Sequence, residues 1–208
     1  MSTYAGDKGL LLVISGPSGV GKGTIVKGLQ RALPALIVSI SATTRAPRAG
    51  EIDGVDYYFL SRDAFHKMIE EGQLLEWAEV YGNYYGTPLH FVQTTLARGT
   101  DVILEIDIQG ALQVKEKFPA AVLIFIAPPS KEEQRKRLLG RNSETIEAVE
   151  KRLEAMDGEM KLAGSYDYLV VNDNVNDAIE KIMAVVSSEK CRPWRMQAFL
   201  DRLLRQGF

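Results

Sequence analysis

The chain has 208 residues, of which 46% are hydrophobic and 25% are charged, and its formal net charge is −2. This composition excludes wholesale disorder, and the length suits one compact domain. The small net charge gives no reason to expect nucleic acid or a membrane as a partner, so any anion site must be a local cluster of cations. A single cysteine, Cys191, excludes an intrachain disulfide. The apolar run at 10–14 is too short to span a bilayer and no basic leader precedes it, so we expect a cytoplasmic protein.

Short apolar runs alternate with helical patterns along most of the chain. The predicted strands lie at 10–14, 36–41, 102–106, 121–126 and 168–171. The predicted helices lie at 22–33, 112–118, 131–139, 145–160 and 175–188. This alternation predicts an α/β fold with a parallel sheet flanked by helices on both sides. Ser130 and Glu133 are expected to form the N-terminal cap of the helix at 131–139.

The segment 42–91 interrupts the alternation and predicts an inserted α+β lobe. It is rich in Gly, Pro and Tyr, with strand-like pieces at 57–60 and 74–81 around a helical piece at 63–71. A second break, at 140–143, predicts the tip of a hinged flap. We therefore expect a core of 8–41, 92–130 and 165–190, a lid at 131–164 and a helical tail at 191–208. The tail is either an oligomer contact or a packed helix, and the packed helix is favoured.

A glycine-rich segment, Gly16-Pro17-Ser18-Gly19-Val20-Gly21-Lys22, follows a predicted strand and precedes a predicted helix. This is the phosphate-loop pattern in the context that it requires. The glycines let backbone N–H groups face a bound phosphate, and Lys22 would reach the β- and γ-phosphates of a nucleotide. Gly23 stands where Ser or Thr usually follows the lysine, so Thr24 is our candidate for contacting Mg²⁺ through water. The alternative, a glycine-rich turn capping a helix, does not explain the lysine.

Two acidic residues, Glu105 and Asp107, end the predicted strand at 102–106. Their spacing would place them on one face of that strand, and ligands gather at the carboxyl ends of parallel strands. Two carboxylates beside a triphosphate would repel it unless a cation intervened, which predicts Mg²⁺ between them. The alternative is a solvated strand end whose charges resist aggregation.

Several basic residues lie within and after the predicted helix at 131–139. Arg137 and Arg141 would share a helix face, with Arg152 further on. Like charges four residues apart are unfavourable unless an anion lies between them, and a migrating phosphoryl group is such an anion. The alternative is a solvated basic face, in which Arg135 and Lys136 also take part. The acidic residues that would balance it are Glu132, Glu133 and Glu144.

A further anion site is predicted within the inserted segment. Arg45 and Arg48 supply charged donors, and Tyr57 and Tyr85 supply neutral O–H donors. The alternative is a Pro-rich loop whose tyrosines only pack. The acidic residues with which its arginines would then pair are Glu51 and Asp53.

Five motifs in order make the chain resemble the guanylate kinase family. They are the phosphate loop, Thr-Thr-Arg-Ala-Pro-Arg at 43–48, Gly-Asn-Tyr-Tyr-Gly-Thr at 82–87, Ile-Asp-Ile-Gln-Gly at 106–110 and Ala-Pro-Pro-Ser at 127–130. The resemblance covers 10–188. It implies a P-loop NTPase-type core with a GMP-binding lobe at 42–91 and a lid. It also implies transfer of the γ-phosphoryl group of Mg-ATP to GMP, and to dGMP, in purine nucleotide metabolism.

The resemblance also implies roles for individual residues. The GMP phosphate would be held by Arg45, Arg48, Tyr57 and Tyr85. The guanine would be read by Ser41, Glu76, Thr87 and Asp107, with Gly86 beside them. The ATP side would comprise residues Gly16 to Thr24, with Asn172 near the adenine and Arg137, Arg141 and Arg152 reaching the phosphates from the lid. Glu105 stands where Asp is frequent in the family, which leaves open whether it contacts Mg²⁺ directly or through water.

Two rival functions remain from the sequence. The first is a kinase for AMP or a pyrimidine nucleotide, which Glu76 with Ser41 disfavours because a carboxylate suits the N1–H and N2–H₂ donors of guanine. The second is a non-catalytic phosphopeptide-binding module, which the intact Gly21-Lys22 disfavours.

Overall fold

The computed structural model of the protein describes residues 8–80, 82–139 and 146–206. Its strands, in chain order, are β1 Leu11–Ser15, β2 Ile37–Val38, β3 Ala42–Thr43, β4 Tyr58–Phe59, β5 Leu74–Val80, β6 Asn83–Pro88, β7 Val102–Glu105, β8 Val122–Ala127 and β9 Tyr168–Val171. Its helices are α1 Lys22–Ala32, α2 Arg62–Glu70, α3 Leu89–Ala97, α4 Ile108–Lys117, α5 Lys131–Leu139, α6 Ile146–Lys161, α7 Val175–Lys190 and α8 Gln197–Gln206.

A five-stranded sheet forms the centre of the molecule, with strand order β2-β7-β1-β8-β9. All of its strand pairs are parallel. Every residue of β1 and β8 is buried, because helices cover both faces. Leu12 and Ile14 pack with α1 and α7 on one face, and Leu11 and Val13 pack with α3 and α4 on the other. This confirms the predicted α/β class with a parallel sheet between helices.

A second, four-stranded sheet is built from the segment between α1 and α3, in the order β4-β3-β6-β5. The pairs β3–β6 and β5–β6 are antiparallel, and β3–β4 is parallel. Helix α2 covers this sheet by burying Phe65, which packs with Ala42 and Leu74. Ser61 caps α2 by accepting a hydrogen bond from the Ala64 N–H at 3.2 Å. The small sheet therefore has its own hydrophobic core, separate from that of the large sheet.

Two predicted elements differ from the structure. The strand expected at 36–41 is not continuous, because only Ile37–Val38 pairs with β7 before the chain crosses to the second sheet at Ala42. Helix α3 was not among the predicted helices, since its run of Val, Gln and Thr gives no clear apolar stripe. The cap predicted for α5 is confirmed: the Glu133 N–H donates to Ser130 Oγ at 3.1 Å. The predicted flap tip at 140–143 lies outside the described residues.

The C-terminal tail is attached to the core through the buried carboxylate of Glu189 and through Arg195, whose Nη2 donates to the Ala120 carbonyl at 2.7 Å. Tyr168 Oη donates to Glu189 Oε1 at 2.6 Å, and Arg192 Nε donates to both carboxylate oxygens at 2.9 Å. Beyond it lies α8, in which Ala198, Phe199 and Leu203 are partly buried and no described side chain is fully buried. The choice between a packed helix and an oligomer contact stays a prediction. Within the described part of the chain, no helix has both the length and the apolar character needed to cross a bilayer.

Substituting Glu189 should test this attachment. Burial alone would raise the pKa of Glu189, but the hydrogen bonds from Arg192 and Tyr168 outweigh it and lower the pKa. Glu189→Ala should therefore cost about 1–3 kcal/mol of unfolding free energy near neutral pH, and the cost should shrink as acid protonates the wild-type carboxylate. Urea denaturation at several pH values measures both effects. Glu180→Ala, which removes an exposed carboxylate from α7, is the control; an equal cost in both variants would contradict the attachment.

Candidate active site

A cavity of about 600 Å³ opens where the two sheets meet. Four parts of the chain line it: the loop after β1, the second sheet, the segment joining β7 to α4, and helix α6. The residues that line it include Gly16, Ser18, Lys22, Ser41, Tyr57, Glu76, Glu79, Tyr85, Gly86, Glu105, Asp107, Gln109, Ala155, Gly158, Glu159 and Leu162. Ten of the 23 site residues predicted from the sequence thus line one cavity.

In the loop after β1, the side chain of Lys22 bonds back to the loop's own backbone. Lys22 Nζ donates to the carbonyl oxygens of Gly16 at 2.6 Å and Pro17 at 3.1 Å. Gly21, the N-cap of α1, has φ 97°, a left-handed conformation that favours glycine. A Cβ on Gly16 would lie 2.2 Å from the Ile126 carbonyl oxygen of β8. The loop therefore needs glycine at both points, and Lys22 lies at its concave side beside the helix N-terminus.

Gly23 and Thr24 face different surfaces. A Cβ on Gly23 would lie 3.4 Å from Glu105 Oε1, so this position points at the carboxylate. Thr24 is exposed and lines a separate groove between α1 and α7 with Val175. The structure therefore does not bring Thr24 to the cavity with Glu105, because consecutive helical residues project in different directions.

The two acidic residues predicted to share a strand face do not do so. Strand β7 ends at Glu105, and Asp107 is the N-cap of α4, accepting a hydrogen bond from the Gly110 N–H at 2.8 Å. The sequence prediction was wrong on this point, because α4 begins at Ile108, four residues before the predicted start at 112. Both carboxylates still line the cavity. Desolvation raises the pKa of Glu105, while Lys22 and Lys27 lower it.

Glu76 is a carboxylate buried between the second sheet and α4, with 3% of its surface exposed. It lies opposite Thr87 in the β5–β6 pair, and Thr87 Oγ1 donates to Glu76 Oε1 at 2.6 Å. Burial raises the pKa of Glu76 to about 7, although the Thr87 hydrogen bond opposes the shift. Lys117, which also lowers the pKa, donates its own hydrogen bond to the Leu75 carbonyl. Among the described residues no ion pair to Glu76 is formed.

Arginine and tyrosine side chains cluster beside the cavity on the second sheet. Arg45 donates to both oxygens of Glu51, at 2.9 and 2.8 Å, and its guanidinium lies 5.3 Å from the centre of the Tyr57 ring. The Tyr57 and Tyr85 rings meet edge to face. Arg48 is exposed, and its backbone N–H also donates to Glu51.

The alternative that the loop arginines pair with acidic neighbours is thus correct for Arg45 and Glu51. Asp53 instead accepts from the Phe59 N–H at 2.8 Å. A guanidinium has five N–H donors, so its pairing with Glu51 leaves Arg45 able to bind an anion as well.

The basic residues after β8 divide between two roles. Arg152 of α6 donates to Ser18 Oγ at 2.8 Å, which places it at the phosphate loop. Arg137 donates to the Asn172 carbonyl at 2.8 Å, next to the same loop. Arg137 also pairs with Glu133, and Lys136 pairs with Glu132, as the solvated-face alternative predicted. Arg135 pairs with Glu150, which was not among the acidic residues named for that alternative. Arg141 lies outside the described residues.

Asn172 lies beneath the phosphate loop rather than at its mouth. Its side chain is buried, and Nδ2 donates to the Val20 carbonyl at 2.7 Å. A Cβ on Gly21 would lie 2.6 Å from that nitrogen. Asn172 therefore supports the turn into α1 and lies next to the phosphate loop. Its predicted place on the ATP side stays a prediction.

Comparison with known proteins gives the family. The guanylate kinase family model matches residues 8–189. A guanylate kinase of Halalkalibacterium halodurans is 51% identical over 91% of this chain and 93% of its own. One of Caldanaerobacter subterraneus is 56% identical over 89% and 90%. The solved guanylate kinase of Anaplasma phagocytophilum superposes with a TM-score of 0.77 at 34% identity, covering 93% of this chain and 92% of its own.

The chain belongs to the guanylate kinase family. The reaction of this family is the transfer of a phosphoryl group from ATP to GMP. The cavity brings phosphate-loop residues, among them Lys22, together with the buried Glu76 in one space.

Three residues of the site were not among the catalytic and binding residues predicted from the sequence, although Glu51 had been named as an alternative partner of the loop arginines. A Cβ on Gly110 would lie 2.3 Å from Glu76 Oε2, so glycine lets α4 approach the carboxylate. Glu51 holds Arg45, and Glu159 projects into the cavity from α6. Gly110 stands in a recognised motif, which was the available signal. Glu159 has no such signal, because only the packing of α6 brings it to the cavity.

The raised pKa of Glu76 predicts a pH-dependent cost to stability. Between its ordinary pKa and about 7 the folded state binds a proton more tightly than the unfolded state, so stability is lost as pH rises through this window. Glu76→Gln keeps an acceptor for Thr87 but does not ionise. The variant should therefore match the wild type at about pH 5 and exceed it by about 2–3 kcal/mol at about pH 8.

Denaturation of the nucleotide-free protein across this pH range measures the difference. Glu154→Gln, an exposed neutral replacement on α6, should leave a constant difference. A constant difference for Glu76→Gln as well would contradict the raised pKa.

Proposed function

We propose that the chain transfers the γ-phosphoryl group of Mg-ATP to GMP, and also to dGMP, through the residues of this one cavity. The observation that carries the proposal is the arrangement of its two ends. One end has a lysine at a helix N-terminus beside a glycine-rich loop. The other has a buried carboxylate hydrogen-bonded to a hydroxyl, which suits a ligand with paired N–H donors.

The donor nucleotide is proposed to lie on the phosphate loop. Residues Gly16 to Thr24 provide backbone N–H groups for its phosphates, and Lys22 exchanges its bonds to Gly16 and Pro17 for bonds to phosphate oxygens. Asn172 supports the loop near the adenine. Arg137, Arg141 and Arg152 supply positive charge to the transferring group, whose negative charge spreads over its equatorial oxygens.

The acceptor nucleotide is proposed to lie against the second sheet. Its phosphate binds Arg45, Arg48, Tyr57 and Tyr85, where Glu51 and the aromatic rings already hold Arg45 in place. Fixing the acceptor oxygen near the donor phosphate removes much of the entropic barrier to transfer.

The guanine is proposed to bind Glu76, with Ser41, Thr87 and Asp107 around it and Gly86 beneath. Guanine offers N1–H and N2–H₂, which together complement a carboxylate, whereas adenine presents a lone pair at N1. Burial strengthens this selection, because a desolvated carboxylate left without donors is costly.

Glu105 and Asp107 are proposed to hold Mg²⁺ together with phosphate oxygens. Within the described chain no group of three or more His, Cys, Asp or Glu forms a metal site of its own. This suits Mg²⁺, which commonly takes one or two carboxylates and completes its shell with phosphate oxygens and water. The ion would neutralise charge on the phosphates. Thr24 is directed elsewhere, and Gly23 leaves space beside Glu105 for a water molecule.

Segments 42–91 and 131–164 are proposed to act as the GMP-binding lobe and the lid. Arg152 and Gln134 both bond Ser18 of the phosphate loop, so α5 and α6 are in position to enclose the donor phosphates. Enclosure of this kind excludes water from the transferring group.

A coupled assay tests the activity. The protein should release ADP from Mg-ATP only when GMP is added, and AMP, CMP and UMP should give far less. Lys22→Ala should reduce kcat by about 10³-fold or more, since the amine stabilises charge in the transition state, with little change in the thermal midpoint. ADP release that did not depend on GMP would refute the proposal. A phosphopeptide-binding module would give no turnover with any nucleotide.

Glu76→Gln should change the preference for GMP over AMP. The amide removes the charge and offers a donor where guanine also donates. The transition state for GMP should therefore lose about 2–4 kcal/mol of stabilisation, measured as a lower kcat/KM. Activity on AMP should stay level or rise, because the amide can donate to adenine N1. Steady-state kinetics with both acceptors measures the ratio, with Glu154→Gln as control. An unchanged GMP/AMP ratio would show that Glu76 does not read the base.

A further inference from the structure

Helix α6 presents one face to the cavity. Ala155, Gly158, Glu159 and Leu162, at the spacing of one helical face, line it together. Arg152 continues that face towards the phosphate loop. The opposite face carries Leu153 and Met156, which pack with Leu138 of α5. The orientation of α6 is therefore fixed by its core, and Glu159 is directed at the cavity.

Glu159 lines the same cavity as Lys22 of the phosphate loop and Asp107 at the start of α4. It is half-buried, and its strongest electrostatic neighbours are Lys22 of the phosphate loop and Asp107 beside the guanine wall. Burial raises the pKa of Glu159, Lys22 lowers it and Asp107 raises it. In the proposed arrangement the bound acceptor runs from the guanine wall to the phosphates. The part of it midway between them is the ribose.

The chemistry of a carboxylate also favours the ribose. Phosphate oxygens would repel Glu159, whereas the ribose hydroxyls are donors that a carboxylate can accept, as acidic residues do in other nucleotide sites. The neighbouring positions on α6 leave room for a sugar: a Cβ added to Gly158 would meet nothing within 4 Å, and Ala155 is small. Glu79 and Gln109 also line the cavity, but both are exposed, so water competes for their hydrogen bonds.

We propose that Glu159 accepts a hydrogen bond from the 2′-hydroxyl of the acceptor ribose and so sets the preference for GMP over dGMP. This inference rests on the proposed function, since it assumes that GMP occupies the cavity. It assigns a role to α6 in reading the acceptor, in addition to the contact of Arg152 with the donor side.

The test is the ratio of kcat/KM for GMP to that for dGMP. A charge-assisted hydrogen bond in a partly buried site predicts that the wild type prefers GMP by about 10-fold or more. Glu159→Ala should bring the ratio close to one, chiefly by lowering kcat/KM for GMP. Glu159→Gln should give an intermediate ratio, because its amide oxygen still accepts. Glu154→Ala, which removes an exposed carboxylate from the same helix, should leave the ratio at the wild-type value.

Several results would overturn the inference. One is a wild-type ratio near one, and another is a Glu159→Ala ratio within about twofold of the wild type, a difference too small for a lost charged hydrogen bond. A shift in Mg²⁺ dependence without a change in ratio would place Glu159 on the metal side instead. If Glu159→Ala lowers the thermal midpoint, the GMP/dGMP ratio of the near-isosteric Glu159→Gln is the deciding measurement. A wild-type ratio in that variant would overturn the inference. A wild type with no turnover of GMP would refute the proposed function itself.

Discussion

The acceptor end of the cavity depends on one constraint, the burial of the Glu76 carboxylate without an ion-pair partner among the described residues. Burial raises its pKa to about 7 and so favours the protonated form. In the proposed function, a guanine base that donates two N–H groups would favour the ionised form, so GMP binding would be coupled to proton release. The desolvation cost of the buried carboxylate is offset only by a ligand with the right N–H donors. A buried polar group becomes selective in this way.

The second sheet maintains the burial of the Glu76 carboxylate. The antiparallel register of β5 and β6 sets Glu76 directly opposite Thr87, and Gly86 lies close enough to β5 that a Cβ would stand 2.9 Å from the Glu76 carbonyl oxygen. Gly110 closes the other side. Two glycines and one register thus enclose the carboxylate, and a slip of one residue would turn it to the opposite face of the sheet.

The parts of the molecule that were predictable from the sequence are those with local signals. The central strands, α5, α7 and the phosphate loop follow from apolar periodicity and glycine spacing. Side-chain contacts left no such signal: the bidentate pairing of Arg45 with Glu51 was only one of two open alternatives. The approach of Glu159 to the cavity was not foreseen. Asp107 lines the cavity with Glu105, but the shared strand face predicted for the two was wrong, because a cap and a strand end look alike when a helix follows without a break.

One short segment links the chemistry of the donor to the selection of the acceptor. Glu105 ends β7 beside Gly23, Asp107 caps α4, and Gly110 in the first turn of that helix touches Glu76. The cap fixes the direction in which α4 leaves the sheet, so the distance between the Glu105 and Glu76 carboxylates is set by a strand end and one helical turn. A helix start is stiffer than a loop, because its backbone hydrogen bonds and the cap act together. In the proposed function, this stiffness would hold the two nucleotides at a fixed separation.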